Sequence, residues 1–135
     1  MALLARLSPP RHVRTMASSA AAAAAARQFE FLVVVPDKPG TLAKRLQVRP
    51  IHFEAMKPKI ESGSWKMGGA LLKSVPADED PSQLEFAGST LVCVAASRDE
   101  VRRQLRDDVY AVEGVWDVEK AQIYPFKCAF RTAMS

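Results

Sequence analysis

The stretch Ser89–Glu100 reads STLVCVAASRDE and joins a strand directly to a helix. Its first eight residues are almost all apolar, which is typical of a strand in the centre of a sheet. Its last four match a capping box, in which the hydroxyl of Ser97 and the carboxylate of Glu100 satisfy open backbone amides at a helix start. We therefore expect a strand over residues 89–96, followed by a helix whose inward face carries Val101, Leu105 and Val109.

A second strand and helix precede this unit. Residues 29–35 (FEFLVVV) are β-branched and aromatic, which predicts a strand, and the segment Pro36–Gly40 predicts the turn that ends it. Thr41 is a candidate cap for a helix that ends near Gly63. The apolar stripe of this helix recurs every three or four residues, at Leu42, Leu46, Arg49, Phe53, Met56 and Ile60.

Pro50 interrupts that helix, because proline lacks the amide that would bond the carbonyl of Leu46 and its ring crowds the preceding turn. An interior proline costs a helix about 3 kcal/mol. We expect either a kink at this point or two short helices, with Pro50 in the first turn of the second.

Two further strands complete the pattern. Residues 65–74 predict one, with a bulge or a close backbone approach at the Gly68–Gly69 pair, and residues 115–126 predict the last. The order βαββαβ indicates an α+β, ferredoxin-like sandwich, with an antiparallel sheet and two helices on one face. We expect residues 28–135 to form this domain. Because they leave no segment to cover the opposite face of the sheet, we also expect a homodimer.

Residues 1–27 differ in composition from the rest of the chain. They are rich in Arg, Ala and Ser, contain no acidic residue, and include a run of seven alanines. This composition is typical of a mitochondrial presequence and also fits a plain disordered extension with an alanine spacer. We expect a disordered N-terminal extension and, for translation from Met1, the mitochondrial matrix. Initiation at Met16 would remove most of the targeting charge and give a cytoplasmic form.

Charge and cysteine content exclude several classes of protein. The formal net charge is +4, but four arginines lie in residues 1–27, and the remainder holds 15 basic and 15 acidic side chains. A neutral domain gives no support to nucleic-acid binding. Cys93 and Cys128 cannot build a disulfide scaffold or a cysteine-only zinc site, and their apolar surroundings favour reduced, buried thiols. No stretch of about 18 uncharged apolar residues is present to span a membrane.

His52 and Asp108 are the candidate catalytic pair. His52 lies one position from the apolar stripe, and a plain alternative is a histidine on the helix flank bonded to a carbonyl. Asp108 follows Leu105 by three residues, which places an acid on the buried side of its helix near the C-terminus, where the helix dipole disfavours negative charge. Such a carboxylate needs a partner, for which the candidates are His52, Arg45 and Arg49. The alternative is a solvated helix end.

The remaining candidates would bind substrate. A guanidinium matches a carboxylate bidentately, so Arg45 and Arg49 could hold an anionic group. The alternative is a surface ion pair with Asp or Glu, which we favour for Arg45 and not for Arg49. Tyr110 could line the pocket or belong to an aromatic core, as could Trp65. Ser89–Thr90 are expected to be no more than strand-entry residues.

Three segments carry a family resemblance: TLAKRLQVRPIHF (41–53), EFAGSTLVCV (85–94) and DDVYAVEGVWDVEKAQIYPFK (107–127). Their motifs K-R-L-x-V-R-P-x-H, G-S-T and G-V-W, in that order, resemble the YCII-related (YciI-like) family of small dimeric α/β-barrel proteins. The resemblance covers residues 29–130. It implies a ferredoxin-like subunit whose dimer forms a barrel, with an active site built on His52 and Asp108. The family's D-P-Y segment reads Asp108-Val109-Tyr110 here, without the proline.

The resemblance also implies chemistry. One relative is a dehydrochlorinase of chlorinated hydroxyquinone degradation, and muconolactone isomerases share the architecture. An acid bonded to one imidazole nitrogen fixes the tautomer and leaves the other nitrogen as a base, which needs no metal or organic cofactor. We therefore expect a cofactor-free lyase or isomerase that acts on a small anionic or cyclic carbonyl compound.

Two binding functions stand as alternatives. Residues 33–43 (VVVPDKPGTLA) resemble the opening of an ACT domain, a βαββαβ module that binds amino acids near the turn after its first strand. That turn would be Asp37–Leu42, although ACT helices are not followed by R-P-x-H. The other alternative is a noncatalytic dimeric binding protein on the same scaffold, in which His52 and Asp108 only bind or stabilise.

Overall fold

Two antiparallel strands, β1 (Phe29–Pro36) and β3 (Phe86–Ala95), form the centre of the sheet. An edge strand flanks each of them, β4 (Gln122–Phe126) on β1 and β2 (Trp65–Leu72) on β3. The structure is a computed structural model that describes residues 27–134. Within those residues the sheet has four strands in the order β2-β3-β1-β4.

Helices connect these strands. α1 (Leu42–Glu61) joins β1 to β2, while α2 (Arg98–Asp107) and the four-residue α3 (Val109–Val112) lie between β3 and β4. Short 3-10 turns at Pro81–Gln83 and Val118–Lys120 complete the connections. The order βαββαβ, with α3 as one added turn, is the ferredoxin-like α+β arrangement predicted from the sequence.

One face of the sheet carries both helices. Phe31 of β1 pairs with Cys93 of β3, so their side chains share a face. The buried cluster on that face joins the sheet to both helices through Phe31, Val33, Leu91 and Cys93 from the strands, Val48 from α1, and Val101 and Leu105 from α2. Burial of each such aliphatic side chain contributes about 1.5–3 kcal/mol, which holds both helices on the sheet.

The opposite face of the sheet is also apolar. Leu32 of β1 pairs with Val92 of β3 on one side and with Tyr124 of β4 on the other. Tyr124 remains 50% exposed, and Met67, which pairs with Val92, remains 52% exposed. Large apolar side chains are therefore open on the side away from the helices, and the homodimer that would cover them stays a prediction.

α1 is one continuous helix, so of the two alternatives for Pro50 the pair of short helices is wrong, and the kink stays a prediction. It runs through Pro50 and Pro58 without ending at either residue. Pro50 is exposed, and a backbone hydrogen bond lost near the surface can be replaced by one to water.

The predicted inward face of α1 is also wrong. The buried residues of this helix are Arg45, Val48 and His52, whereas Leu42 and Phe53 of the predicted stripe are 45% and 42% exposed. Two of the three buried side chains are polar and find partners elsewhere in the fold. Leu46 and Arg49 of the stripe are half-buried and Met56 packs against the core, so the predicted stripe lies beside the buried face of the helix rather than on it.

The two predicted helix caps have different outcomes. Ser97 caps α2 as predicted, since its hydroxyl accepts a hydrogen bond from the Glu100 amide at 3.2 Å. The Glu100 carboxylate accepts one from the Ala96 amide at 2.7 Å. Thr41 occupies the cap position of α1 but caps no amide, because its hydroxyl donates to the Lys38 carbonyl oxygen at 2.7 Å.

Several boundaries in the second half of the chain differ from the predictions. β4 begins at Gln122 rather than at residue 115, because Val115–Trp116 lies buried in the core and a 3-10 turn follows it. α2 ends at Asp107, so Val109 starts a new helix instead of extending the old one. The irregularities of the β2 ladder flank the Gly68–Gly69 pair rather than fall on it.

Both cysteines within the described residues are free. Cys93 is buried, and that burial raises the pKa of its thiol to about 11, whereas Cys128 is half-buried. Between residues 27 and 134, no helix combines the length and apolarity needed to cross a bilayer. The predictions that concern residues 1–26, including the presequence and the start at Met16, lie outside the described part of the chain.

Candidate active site

A cavity of about 290 Å³ opens between α1 and the β2–β3 edge of the sheet. Small residues create this space: Gly68 and Ala70 pair with Leu91 and Ser89 across the ladder, on the face that the helices cover. Larger side chains there would fill the gap between the sheet and α1. The walls of the cavity include Arg49, His52, Phe53, Trp65, Ser89 and Tyr110.

His52 and Asp108 are hydrogen-bonded at the wall of this cavity, although 56 positions separate them in the chain. Nδ1 of His52 lies 2.8 and 2.9 Å from the two carboxylate oxygens of Asp108. The Asp108 side chain is fully buried, and His52 is only 7% exposed. Because an ionised carboxylate can only accept, this contact favours the imidazole form that carries its proton on Nδ1.

Nε2 of His52 is left open by this arrangement. Within residues 27–134 no group hydrogen-bonds to Nε2. The atom is accessible to solvent. His52 lines the cavity, so Nε2 is the imidazole atom that a bound molecule can reach. An unprotonated imidazole nitrogen in that position can accept a proton.

Asp108 is held at a break between two helices. It ends α2 and caps α3, with extended backbone angles of φ −72° and ψ 145°. Its Oδ1 accepts a hydrogen bond from the Tyr110 amide at 2.9 Å, so the open amides at the start of α3 favour its negative charge. The solvated helix end is therefore wrong. Val109, at the family's proline position, is the first residue of α3, where proline is tolerated but not required.

Aromatic rings hold the imidazole in place. Tyr110 stacks on His52 with ring centroids 4.0 Å apart, and Trp116 meets the imidazole edge-on at 5.7 Å. Burial raises the pKa of the Tyr110 phenol, opposed by the charges of Arg45 and Arg49, so this phenol is neutral at physiological pH. Tyr110 both belongs to the core and lines the cavity, which joins the two roles considered for it.

Arg45 is buried, and both of its terminal nitrogens bind protein groups. Nη1 donates to the two carboxylate oxygens of Asp37 at 2.7 and 2.8 Å, and Nη2 donates to the Ser89 hydroxyl at 3.0 Å. The guanidinium also lies against the rings of Phe86 and Tyr110, at 4.6 and 4.7 Å from their centroids. An ion pair with an acid was the favoured alternative for Arg45, but at 3% exposure the pair is not on the surface.

Asp37 lies in the turn where the ACT-like alternative would place its ligand. A second cavity, of about 330 Å³, is lined by the segment 37–42 and by Lys73. Burial raises the pKa of the Asp37 carboxyl, and the neighbouring charge of Arg45 opposes that rise. The carboxylate at this turn is therefore already committed to Arg45.

Arg49 is the cation that the cavity presents without an acidic partner, among the residues the structure describes. It is half-buried, one turn of α1 beyond Arg45, and its guanidinium lies 4.5 Å from the centroid of the Phe53 ring. No ion pair within residues 27–134 involves it. Of the two arginines predicted to bind substrate, Arg49 is the one without an acidic partner in the described residues. Nε of Arg45 is also unpaired there, but it is buried.

Sequence reasoning missed the contribution of Asp37, Ser89 and Trp116. Asp37 was part of a turn, and Ser89 was assigned to the entry of a strand. No local sequence pattern marked Ser89. A side chain at the neighbouring Gly88 would clash with the Val35 carbonyl oxygen, but this close approach of β3 to β1 is visible only in the folded chain. Trp116 donates from its indole nitrogen to the same serine hydroxyl at 3.0 Å.

Comparison with known proteins finds relatives of this chain. The family model described as "YCII-related domain" matches residues 29–127. Fusaric acid biosynthesis protein 2 of Gibberella fujikuroi is 34% identical over 98 residues, which cover 73% of this chain and 92% of that protein. Aspartate kinase FUB3 of Fusarium oxysporum is 35% identical over 102 residues, but the match spans 74% of this chain and only 18% of the kinase.

A solved structure shares the fold. It is the 5-chloro-2-hydroxyhydroquinone dehydrochlorinase TftG from Burkholderia phenoliruptrix AC1100, in complex with 2,5-dihydroxybenzoquinone. The two structures superpose with a TM-score of 0.60 over 73% of this chain and 93% of that one, at 24% sequence identity. The likeness extends over nearly all of the dehydrochlorinase chain.

Proposed function

The chain belongs to the YCII-related domain family, and from that premise we propose that it is an enzyme in which His52 and Asp108 move a proton on a small molecule bound in the 290 Å³ cavity. One observation carries the proposal. Asp108 holds Nδ1 of His52 at 2.8 Å, and Nε2 of the same ring is open towards the cavity.

The proposed reaction begins with proton abstraction. Nε2 of His52 takes a proton from a carbon next to a carbonyl group, and the electron pair of the broken C–H bond moves onto the carbonyl oxygen. Asp108 stabilises the imidazolium that results, because its buried carboxylate faces Nδ1–H. The imidazolium then returns the proton to another carbon, which is an isomerisation. In an elimination, Nε2 instead takes the proton of a ring hydroxyl in the tautomer that carries chlorine on a saturated carbon. The electron pair moves through the ring and expels chloride as the quinone forms, and the imidazolium releases its proton to water.

Shape and charge point to a small anionic ring compound. Arg49 supplies a positive charge, and the walls that the structure describes include no Asp or Glu. Phe53 and Tyr110 supply aromatic surface on which a planar ring can stack. A volume of about 290 Å³ lies at the small end of ligand pockets and suits a single ring. The quinone bound by TftG is a compound of this class, so we propose it as a first ligand to test.

Two wider proposals accompany the enzyme. A second copy of the chain would cover the open sheet face that carries Met67 and Tyr124, which gives a homodimer of barrel type. Residues 1–27 would direct the protein to the mitochondrial matrix when translation starts at Met1, and initiation at Met16 would leave it in the cytoplasm. A fluorescent fusion of each form tests the second proposal by where it accumulates.

The test compares the wild-type protein with His52→Asn. Asparagine keeps an N–H donor for Asp108 but has no basic nitrogen. Binding of 2,5-dihydroxybenzoquinone is measured by calorimetry, and turnover by chloride release from 5-chloro-2-hydroxyhydroquinone and by hydrogen–deuterium exchange of cyclic ketones in D₂O. We expect the variant to bind the quinone but to lose turnover by about 10³-fold, within the range typical of a general base.

The binding alternatives predict other outcomes. A noncatalytic binding protein would bind the quinone and show neither chloride release nor exchange in the wild type, which would overturn the enzyme proposal. An ACT-like module would bind free amino acids near Asp37 with equal affinity in wild type and His52→Asn. Equal turnover in the two proteins would also contradict the role proposed for His52.

A further inference from the structure

A second polar group on the cavity wall has incomplete hydrogen bonding. The Ser89 hydroxyl oxygen accepts from Nη2 of Arg45 and from Nε1 of Trp116, each at 3.0 Å. Guanidinium and indole nitrogens can only donate, so both contacts occupy lone pairs of the oxygen. A hydroxyl has two lone pairs and one proton. The two lone pairs are used, and the proton is still to be placed.

That proton has no acceptor in the part of the protein that the structure describes. No hydrogen bond donated by Ser89 is formed within residues 27–134, although Ser89 is only 5% exposed and lines the cavity. A buried hydroxyl without an acceptor is unfavourable, so the site is incomplete until something in the cavity accepts. The donors on either side leave the O–H bond directed away from Arg45 and Trp116.

We propose that Ser89 donates this hydrogen bond to an oxygen of the substrate. The inference rests on the proposed function and narrows it, because it requires a substrate with a carbonyl, enolate or carboxylate oxygen. Trp116 connects the two groups: its indole nitrogen binds Ser89, and its ring lies 5.7 Å from that of His52. When His52 removes a proton, the electron pair collects on an oxygen, and a donor aimed at that oxygen stabilises it.

The surroundings hold Ser89 ready for this role. Gly88 lets β3 approach β1 so closely that a side chain there would fall on the Val35 carbonyl oxygen. Arg45 is fixed by Asp37 at 2.7 Å and lies against two aromatic rings. A cation bound to the serine oxygen polarises the O–H bond and makes it a stronger donor. Little reorganisation is then needed when the substrate oxygen becomes negative.

The first arm of the test is a high-resolution crystal structure of the wild-type protein without and with 2,5-dihydroxybenzoquinone. We expect a water within hydrogen-bond distance of the Ser89 oxygen on the cavity side, and a quinone oxygen in its place when the probe is bound. A Ser89 hydroxyl that donates to a protein acceptor in both structures would overturn the inference, and this arm needs no variant that has to fold.

The second arm measures the affinity of the quinone for Ser89→Ala and Ser89→Thr. Loss of a hydrogen bond to a charged oxygen corresponds to roughly 10- to 100-fold weaker binding, which we expect for the alanine variant. Threonine keeps the hydroxyl and is expected to restore most of the affinity. The control is Ser97→Ala, which removes the hydroxyl that caps α2 and so weakens the fold without touching the cavity.

The outcomes separate this inference from the proposed function. If Ser89→Ala binds the quinone as tightly as the wild type while His52→Asn still loses turnover, the enzyme stands and the role of Ser89 is wrong. If the wild type turns over no substrate but Ser89→Ala still loses affinity, the enzyme proposal fails and Ser89 remains a ligand-binding donor.

Discussion

Two buried pairs of a basic and an acidic side chain involve the same face of α1, two turns apart. They differ in whether the basic side chain keeps a nitrogen that can accept a proton. Arg45 binds Asp37 at 2.7 Å, and His52 binds Asp108 at 2.8 Å. Both terminal nitrogens of Arg45 are used by protein groups, and a guanidinium cannot accept a proton. His52 uses one nitrogen and leaves the other free.

The comparison shows that burial and ion pairing do not by themselves mark a reactive site. The Arg45 pair is as short as the His52 pair and nearly as buried, yet both terminal nitrogens of Arg45 are taken up by Asp37 and Ser89. In the His52 pair, Nε2 can take a proton from a molecule bound in the cavity. We therefore assign a structural role to the Arg45–Asp37 pair and the proposed proton transfer to the His52–Asp108 pair.

The largest effect on stability should come from Arg45→Met. The substitution leaves the Asp37 carboxylate buried without its cation, and removal of one partner of a buried pair costs about 3–5 kcal/mol. The matched control is Arg49→Met, one turn along the same helix, where no acid is paired and we expect a change of less than about 0.5 kcal/mol. Chemical denaturation of the two variants at neutral pH measures the difference, and equal stabilities would break the comparison.

The same variant should respond to pH in a defined direction. Burial already raises the pKa of Asp37, and loss of Arg45 removes the charge that opposes this rise. A native carboxyl with a raised pKa binds a proton more readily than the unfolded chain does, so its cost to stability is full at neutral pH and falls on acidification. The difference in free energy of unfolding between Arg45→Met and the wild type is expected to become smaller as the pH decreases from about 7 to about 5.

The next effect is on turnover, in Asp108→Asn. The asparagine oxygen can still cap the Tyr110 amide, but its NH₂ group then faces Nδ1 of His52. This NH₂ group, in place of the oxygen 2.9 Å from Nδ1, favours the form in which Nδ1 accepts and the proton lies on Nε2, so the open base is lost. We expect kcat to fall by about 100-fold with little change in stability. Asp107→Asn is the control, because Asp107 is its exposed neighbour at the end of α2. Unchanged kcat in Asp108→Asn would show that the carboxylate does not set the tautomer.

A smaller effect is expected for Arg49→Gln. This side chain has no acidic partner within the described residues, so its removal should affect ligands rather than the fold. We expect KM for an anionic ring compound to rise about tenfold and kcat to change little, since one charge-assisted hydrogen bond is lost. A neutral ring compound of the same shape should show no such difference. An equal rise for both compounds would mean that Arg49 contributes packing rather than charge.

The smallest effect is expected for Tyr110→Phe. The ring that stacks on His52 at 4.0 Å is kept, and only the hydroxyl is removed. Burial raises the pKa of this phenol, so it stays neutral at physiological pH. Turnover should change by less than about twofold, the scale of a lost contact that carries no proton. A tenfold or larger decrease in kcat, with a changed pH–rate profile, would mean that the phenol takes part in proton transfer.

Much of the fold follows from local sequence, because each strand and cap is decided by neighbouring residues. All but the last residue of the apolar run 89–96 lies within β3, and the serine at 97 caps α2 as predicted. The inward face of α1 does not follow from such patterns. Arg45 and His52 are buried because Asp37 and Asp108 accept from them, and Asp108 is 56 positions from its partner.

The residues of the candidate site also differ in whether local sequence could identify them. Asp108 could be suspected because an acid on an apolar helix face needs a partner. Ser89 could not, because its two donors come from positions 44 residues before and 27 residues after it, and only the folded chain brings them together. Pattern reasoning identifies a residue that is out of place locally, but not one whose environment is assembled from distant segments.

The most direct test of the central claim is the protonation of the His52 ring, read by ¹⁵N NMR of the imidazole nitrogens. His12 is the other histidine of the chain, so His12→Ala leaves a single imidazole to observe. In the neutral form of the ring, the account predicts a protonated Nδ1 and an unprotonated Nε2, and the reverse in the Asp108→Asn variant. A proton on Nε2 in the protein with Asp108 intact would contradict it.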